Sequence, residues 1–215
     1  MELEYARTWA EISMDALTHN YNALRSMLAP GCRFLGVVKA NAYGHGAVEV
    51  ARHLAGLGCE MLAVACLAEA EQLRQAGIGL PILILGHTPA ELAQRVVDLG
   101  LTQTVFTRPQ AEALSRAAVE QGRTARVHIK LDTGMSRVGI LAHDPDGAAR
   151  QVKELYNLPG LEYEGIFTHF ANADGDEEYT MLQFTRFLDT LDRLEKHYGI
   201  TFAIRHCAAS AAALK

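Results

Sequence analysis

From Cys32 onward, short β-branched runs alternate with amphipathic stretches, and that alternation leaves few architectures open. Seven such runs fall at 34–39, 61–66, 81–86, 102–106, 126–132, 163–169 and 202–207. Between them lie helical patterns such as AVEVARHLAGLG, AEAEQLRQAG, PAELAQRVVDLG and RPQAEALSRAAVEQG, several ending in the glycine that favours a left-handed C-cap. No Pro- or Gly-rich linker divides the repeats. One α/β domain is therefore expected, nearest to a (β/α)8 TIM-type barrel. The barrel is incomplete, with about seven of eight strands: such a domain typically takes ~250 residues, and Ala213, Leu214 and Lys215 fall in the first turns after the seventh run. The sequence reads as truncated, with the outer strands left as open edges.

Ahead of the repeats, residues 7–13 alternate as a short strand would, and 15–28 follow as an amphipathic helix with Ser13 as its N-cap. The expected division is a leading strand within 1–13, which has no partner in the barrel, and the barrel itself over 14–215.

Charge and composition exclude several classes. A net charge of −5, from 20 basic and 25 acidic residues, argues against a nucleic-acid partner. Hydrophobic residues make up 49% and charged residues 21%, as in an ordinary soluble protein. No apolar run approaches the roughly 18 residues of a membrane span, and MELEYARTWAEIS lacks a secretory pattern, so a cytoplasmic protein without a membrane partner is expected. Cys32, Cys59, Cys66 and Cys207 have no CxxC spacing and read as buried reduced thiols.

In α/β barrels reactive groups gather where the strands end. The first run ends in Lys39, within VVKANAYGHG. A lysine in an apolar setting loses its charge more readily and can act as an amine nucleophile open to Schiff-base chemistry, although a snorkelling strand-end lysine fits the same pattern. The Gly44-His45-Gly46 triplet with Glu69 downstream is no dinucleotide fingerprint, since Glu49 stands where the third glycine belongs. In the fifth run, alternation sets Val127, Ile129 and Leu131 on one face and His128, Lys130 and Asp132 on the other. The charged face then points into the barrel, where Lys130 either pairs with Asp132 or becomes a carbamate that orients Arg137 in TGMSRVG. Arg137 suits a carboxylate or phenolate oxygen. His169 closes the sixth run and His206 lies near the end of the seventh; with His45 and His128 they read as hydrogen-bonded core imidazoles or as ligands of a metal-dependent hydrolase. Ser210 follows the seventh run as a helix cap or a phosphate seat.

Together these segments resemble the alanine racemase family, which binds pyridoxal 5′-phosphate on an α/β barrel. VVKANAYGHG is similar to the family's cofactor-lysine signature, and RTWAEIS, HIKLDTGMSRVG, THFANAD and HCAASAA resemble its other landmarks in order. The resemblance implies an isomerase interconverting L- and D-alanine, supplying D-alanine for peptidoglycan. By it, Lys39 forms the internal aldimine and serves as the base for the D-alanine α-proton, while Tyr43 and Ser210 contact the phosphate. Arg137 binds the phenolic oxygen and the substrate carboxylate, Lys130 matches a lysine carbamylated in many members, and His169 tunes a tyrosine base. No metal is implied. One departure is Ala209, where the family commonly has Asn before the phosphate serine.

The resemblance also implies a homodimer and a C-terminal β domain after residue 215. That domain carries the arginine facing the pyridine nitrogen and the tyrosine base that reaches the site from a partner subunit, and the leading strand would belong to it. With one base of two, residues 1–215 alone are expected to have little or no racemase activity. A single-barrel pyridoxal-phosphate-binding homeostasis protein fits the seven runs and the lysine, but KANAYGHG, Arg137 and the leading strand favour the racemase. Within that branch a serine or broad-specificity racemase is the alternative.

Overall fold

The computed structural model describes residues 8–214. Helix α1 (Met14–Met27) leads into β1 (Leu35–Val37), the short turn α2 (Lys39–Tyr43) and α3 (Ala47–Gly56). Then come β2 (Met61–Val64), α4 (Leu67–Gln75), β3 (Ile82–Ile84), a 3₁₀ turn at Ala90–Leu92 with α5 (Ala93–Asp98), β4 (Thr102–Val105) and α6 (Arg108–Glu120). The second half holds β5 (Ala125–Asp132), β6 (Ile140–Leu141), α7 (Pro145–Leu155), β7 (Leu161–Phe167), α8 (Glu177–Tyr198), β8 (Ile204–His206) and α9 (Ser210–Ala213).

The main sheet runs β1-β2-β3-β4-β5-β7-β8, every pair parallel, as an incomplete barrel of seven strands with helical crossovers. All seven apolar runs become its strands. Six end one or two residues earlier than the runs themselves, because the chain begins to turn over the strand ends: Lys39 and His169 each lie two residues past their strand. The brief β6, which pairs with Leu131 and Asp132, has too few residues to carry an alternation signal. Helices α4, α5 and α6 end as expected, with Gly77, Gly100 and Gly122 at positive φ and the next residue's N–H returning to the last turn.

Ser13 caps α1, its hydroxyl accepting from the Ala16 N–H at 3.1 Å. Residues 8–13 are neither helix nor strand, so the described part of the expected 7–13 strand is irregular; Arg7 and the earlier residues lie outside the described range. No described strand pairs with this segment, and an extended chain without a neighbour has no ladder to join. The thiols also depart from expectation: Cys59 alone is buried, Cys32 and Cys66 are exposed and Cys207 is half-buried. Among the described residues no helix is long and apolar enough to cross a membrane.

Strand β5 is sealed on both faces. Val127, Ile129 and Leu131 are fully buried in the core, and His128, Lys130 and Asp132 are buried opposite them. Between Val127 and His128 the register with β7 slips by one residue, so that Val127 pairs with Tyr163 but His128 with Gly165. The bulge presents Glu164 and Gly165 in succession to the His128 ring. A Cβ on Gly165 would lie 2.7 Å from that ring. Gly165→Ala is therefore expected to displace His128 and cost about 1–3 kcal/mol of stability, read by urea denaturation; an unchanged midpoint would show that the ring has room to retreat.

Candidate active site at the strand ends

Lys39 starts the turn that follows β1. It is half-buried, and its Nζ lies 5.9 Å from the Tyr43 ring centroid. Ala40, Asn41, Ala42 and Tyr43 all have φ between 51° and 54°, a full left-handed turn built without glycine. Each such residue costs roughly 1–2 kcal/mol, so the turn persists only because its surroundings fix it. Glu69, in the first turn of α4, does most of the fixing: Oε1 accepts the Ala40 N–H at 2.7 Å and Oε2 the Ala65 N–H at 2.6 Å. Asn41 Oδ1 accepts the Ala47 N–H at 2.8 Å and so ties the turn to α3. Glu69 is thus a clamp on the lysine loop. The sequence offered no signal for that role beyond its distance from Lys39.

Lys130 is 3% exposed; its Nζ donates to the Leu131 carbonyl at 2.6 Å and lies 5.3 Å from the Phe167 ring centroid. Burial pushes its pKa down to about 8, Asp132 opposing and Arg137 reinforcing the shift. The ion pair with Asp132, one of the two readings above, is not formed; Asp132 Oδ1 accepts instead from the N–H groups of Gly134 and Ser136, both at 3.0 Å. That carboxylate shapes the loop leading to Arg137, which is exposed. His169 is pushed below its usual range by burial and then by the charges of Arg137, Lys130 and Lys39. Lys39, Arg137 and His169 all follow the carboxyl ends of parallel strands and so lie on one side of the sheet.

Deeper in the barrel, His128 Nδ1 and His206 Nε2 share a hydrogen bond of 3.0 Å, and His128 Nε2 lies 3.4 Å from Glu164 Oε2. The His206 ring stacks on Phe167 at 4.5 Å and 5°. Burial, His128 and Lys130 together push His206 down to about 3, leaving it neutral at physiological pH, while His128 draws the Glu164 carboxyl below its usual range. His45 instead donates to the Ala42 carbonyl at 2.8 Å. Among the described residues no three His, Cys, Asp or Glu side chains converge as metal ligands, so the arrangement required by a metal hydrolase is not formed.

Ser210 does not cap a helix. Ala209 holds the cap position in extended conformation, and Ser210 is the first residue of the four-residue α9. Ala209, whose backbone carbonyl accepts from Ala213, leaves the Ser210 hydroxyl out of the cap. Ser210 and Tyr43 line one cavity of about 410 Å³ between β1 and the segment after β8, together with Ala208 and Ala209.

The His206 shift sets the acid side of stability. Folded, the ring protonates near pH 3 against an ordinary 6.5, so within that window the unfolded chain takes up the proton and the folded one does not. The His206 contribution is complete above about pH 6.5 and drains as pH falls; His169 adds the same sign. His206→Gln is expected to flatten the fall in denaturation midpoint between about pH 7 and about pH 5. A slope equal to that of the parent would refute the assignment.

Comparison with known proteins identifies the family and the fold. The family model for alanine racemase, N-terminal domain, matches residues 12–215. The alanine racemase of Desulfovibrio desulfuricans is 47% identical over 207 residues, covering 96% of this chain and 55% of the relative. Among solved structures, alanine racemase of Clostridium difficile in complex with cycloserine superposes with a TM-score of 0.92 at 40% identity, over 97% of this chain and 57% of that one. The Bacillus anthracis enzyme with bound L-Ala-P gives 0.89 at 35% identity, over 98% and 54%. The chain thus spans about half the length of the relatives it matches. On sequence and fold together, this chain belongs to the alanine racemase family, of which it carries the N-terminal barrel domain.

Proposed function

We propose that the chain is the cofactor-binding barrel of a pyridoxal 5′-phosphate-dependent alanine racemase. The observation that carries the reading is Lys39: a half-buried amine just past β1, beside Tyr43 and on the same strand-end rim as His169 and Arg137. The residues fit the cofactor. Its aldehyde needs an amine at the rim, its phosphate needs hydroxyls, and its phenolic oxygen needs a cation. Lys39, the Tyr43 and Ser210 hydroxyls of one cavity, and Arg137 supply these in turn. When bound, the cofactor supplies an electron sink that acidifies the α-proton of an amino acid.

The chain's own residues then divide the work. Arg137 binds the substrate carboxylate with its planar fork. Lys39 Nζ, once free, takes or returns the α-proton on its own face. His169, its pKa lowered first by burial and next by the Arg137 charge, offers a hydrogen bond from a ring that resists protonation. The opposite face needs a second base, which we assign to the portion of the relatives that this chain does not span, within a homodimer. Alanine is the substrate by family membership, with D-alanine destined for peptidoglycan.

Adding pyridoxal 5′-phosphate and then borohydride is expected to fix the cofactor on Lys39, found by peptide mass, and to fail in Lys39→Ala. Labelling spread over the other lysines, or no uptake, would overturn the reading.

Lys130 is proposed to carry a carbamate. Its lowered pKa provides free amine near neutrality, and Asp132 is engaged elsewhere. The ammonium first gives up one proton; the neutral amine nitrogen then bonds the carbon of CO₂ and releases a second proton to solvent, so that a buried cation becomes an anion within reach of Arg137's field. ¹³C-bicarbonate is expected to give a carbamate carbon resonance that disappears in Lys130→Met. Its absence from the parent protein leaves a plain amine and removes the proposal.

A further inference from the structure

Helix α8 lies against two of the loops that carry site residues, and its polar side chains reach both. Tyr179 donates its hydroxyl to the Gly134 carbonyl at 2.8 Å, and Arg186 Nη1 donates to the Thr133 carbonyl at 2.9 Å; both bonds hold the loop after β5, which leads to Arg137. Thr180 reaches the Asn172 carbonyl, on the loop after β7 that carries His169. Gln183 bonds both loops at once. Its Oε1 accepts the Ala171 N–H at 2.8 Å, and its Nε2 donates to the His169 carbonyl and to Thr133 Oγ1, each at 3.3 Å. Thr133 Oγ1 in turn shares a 2.8 Å bond with Thr168 Oγ1.

Gln183 is fully buried on the face of α8 that also carries Phe187 and Leu194. Burying an amide there is costly unless every donor and acceptor is satisfied. An aliphatic side chain would serve packing alone. The amide does what no aliphatic could: it offers an acceptor to one loop and donors to both, in a fixed plane.

We propose that Gln183 is a positioning residue that locks the Arg137 loop and the His169 loop in one mutual register, so that neither side chain shifts without the other. This rests on the reading of Arg137 and His169 as site residues, but its test requires no cofactor. The full chain is compared with Gln183→Met, which keeps length and bulk without the amide, and with Tyr179→Phe, which removes one bond to the Arg137 loop and none to the His169 loop. Amide exchange is followed at 133–137 and 168–172, and the His169 ring is titrated by NMR.

In Gln183→Met, exchange is expected to rise tenfold or more in both segments while β2, β3 and β4 stay protected. The His169 midpoint is expected to move up towards the ordinary value as the ring leaves its burial and the charges facing it, Arg137, Lys130 and Lys39. Tyr179→Phe is expected to loosen only 133–137 and leave that midpoint in place. Exchange rising in one segment alone, or an unmoved His169 midpoint in Gln183→Met, overturns the proposal. If Gln183→Met does not fold, Thr133→Val replaces it: removing a hydroxyl on one loop must still shift His169 on the other, and an unmoved midpoint is again fatal. Failure of Lys39 to take up cofactor would sink the functional reading and leave this result standing.

Discussion

Polar side chains on the inner face of β5 have to be satisfied inside a sheet whose other face is closed by helices, and much of the site follows from how this is done. His128 is met by His206 and by Glu164, Lys130 by a carbonyl and an aromatic face, and Asp132 by two backbone amides of the next loop. None of these solutions is a tight ion pair. The result is a buried strip that lowers the pKa of one amine and shapes the loop that delivers Arg137. Burial of charge is costly for stability and marks a candidate functional site.

Around that strip the strand ends act as a rim whose parts come from far apart in sequence. Lys39 arrives from β1, Arg137 from β5 and His169 from β7, and each is held by a neighbour on a helix: Glu69 from α4 for the first, Gln183 from α8 for the other two. A parallel sheet makes this division natural, since its strands all end on one side and its crossover helices return along the outside.

Much of this was legible in the sequence because period carries fold. All seven apolar runs became strands of one parallel sheet, and strict alternation along 126–132 named the three polar side chains that face inward. Strand ends were less legible, since Val38 and Thr168 still bond the neighbouring strand while the chain is already turning towards Lys39 and His169. Pairing of specific groups was not legible at all. Asp132 sits two residues from Lys130, yet geometry gives its oxygen to Gly134 and Ser136. Glu164 reaches His128 only because a bulge re-aims it, and a one-residue slip between strands 36 residues apart leaves no local mark. Ser210 looked like a cap, but the extended backbone of Ala209 takes that position without a side chain. The segment 8–13 shows the limit from the other direction, for alternation marks a strand only where a partner exists.

The left-handed turn at residues 40–43 has a consequence for the order of assembly. Its backbone is uphill for every residue in it, so it cannot act as an early nucleus in the manner of an ordinary helix or a tight hairpin. The clamp that makes it affordable belongs to α4 and reaches across to the end of β2. Lys39 therefore acquires its place only once two consecutive βα units have already docked, and a chain that has collapsed but not yet closed those units holds its amine on a slack tether. The placing of this amine is, by that argument, a late product of folding.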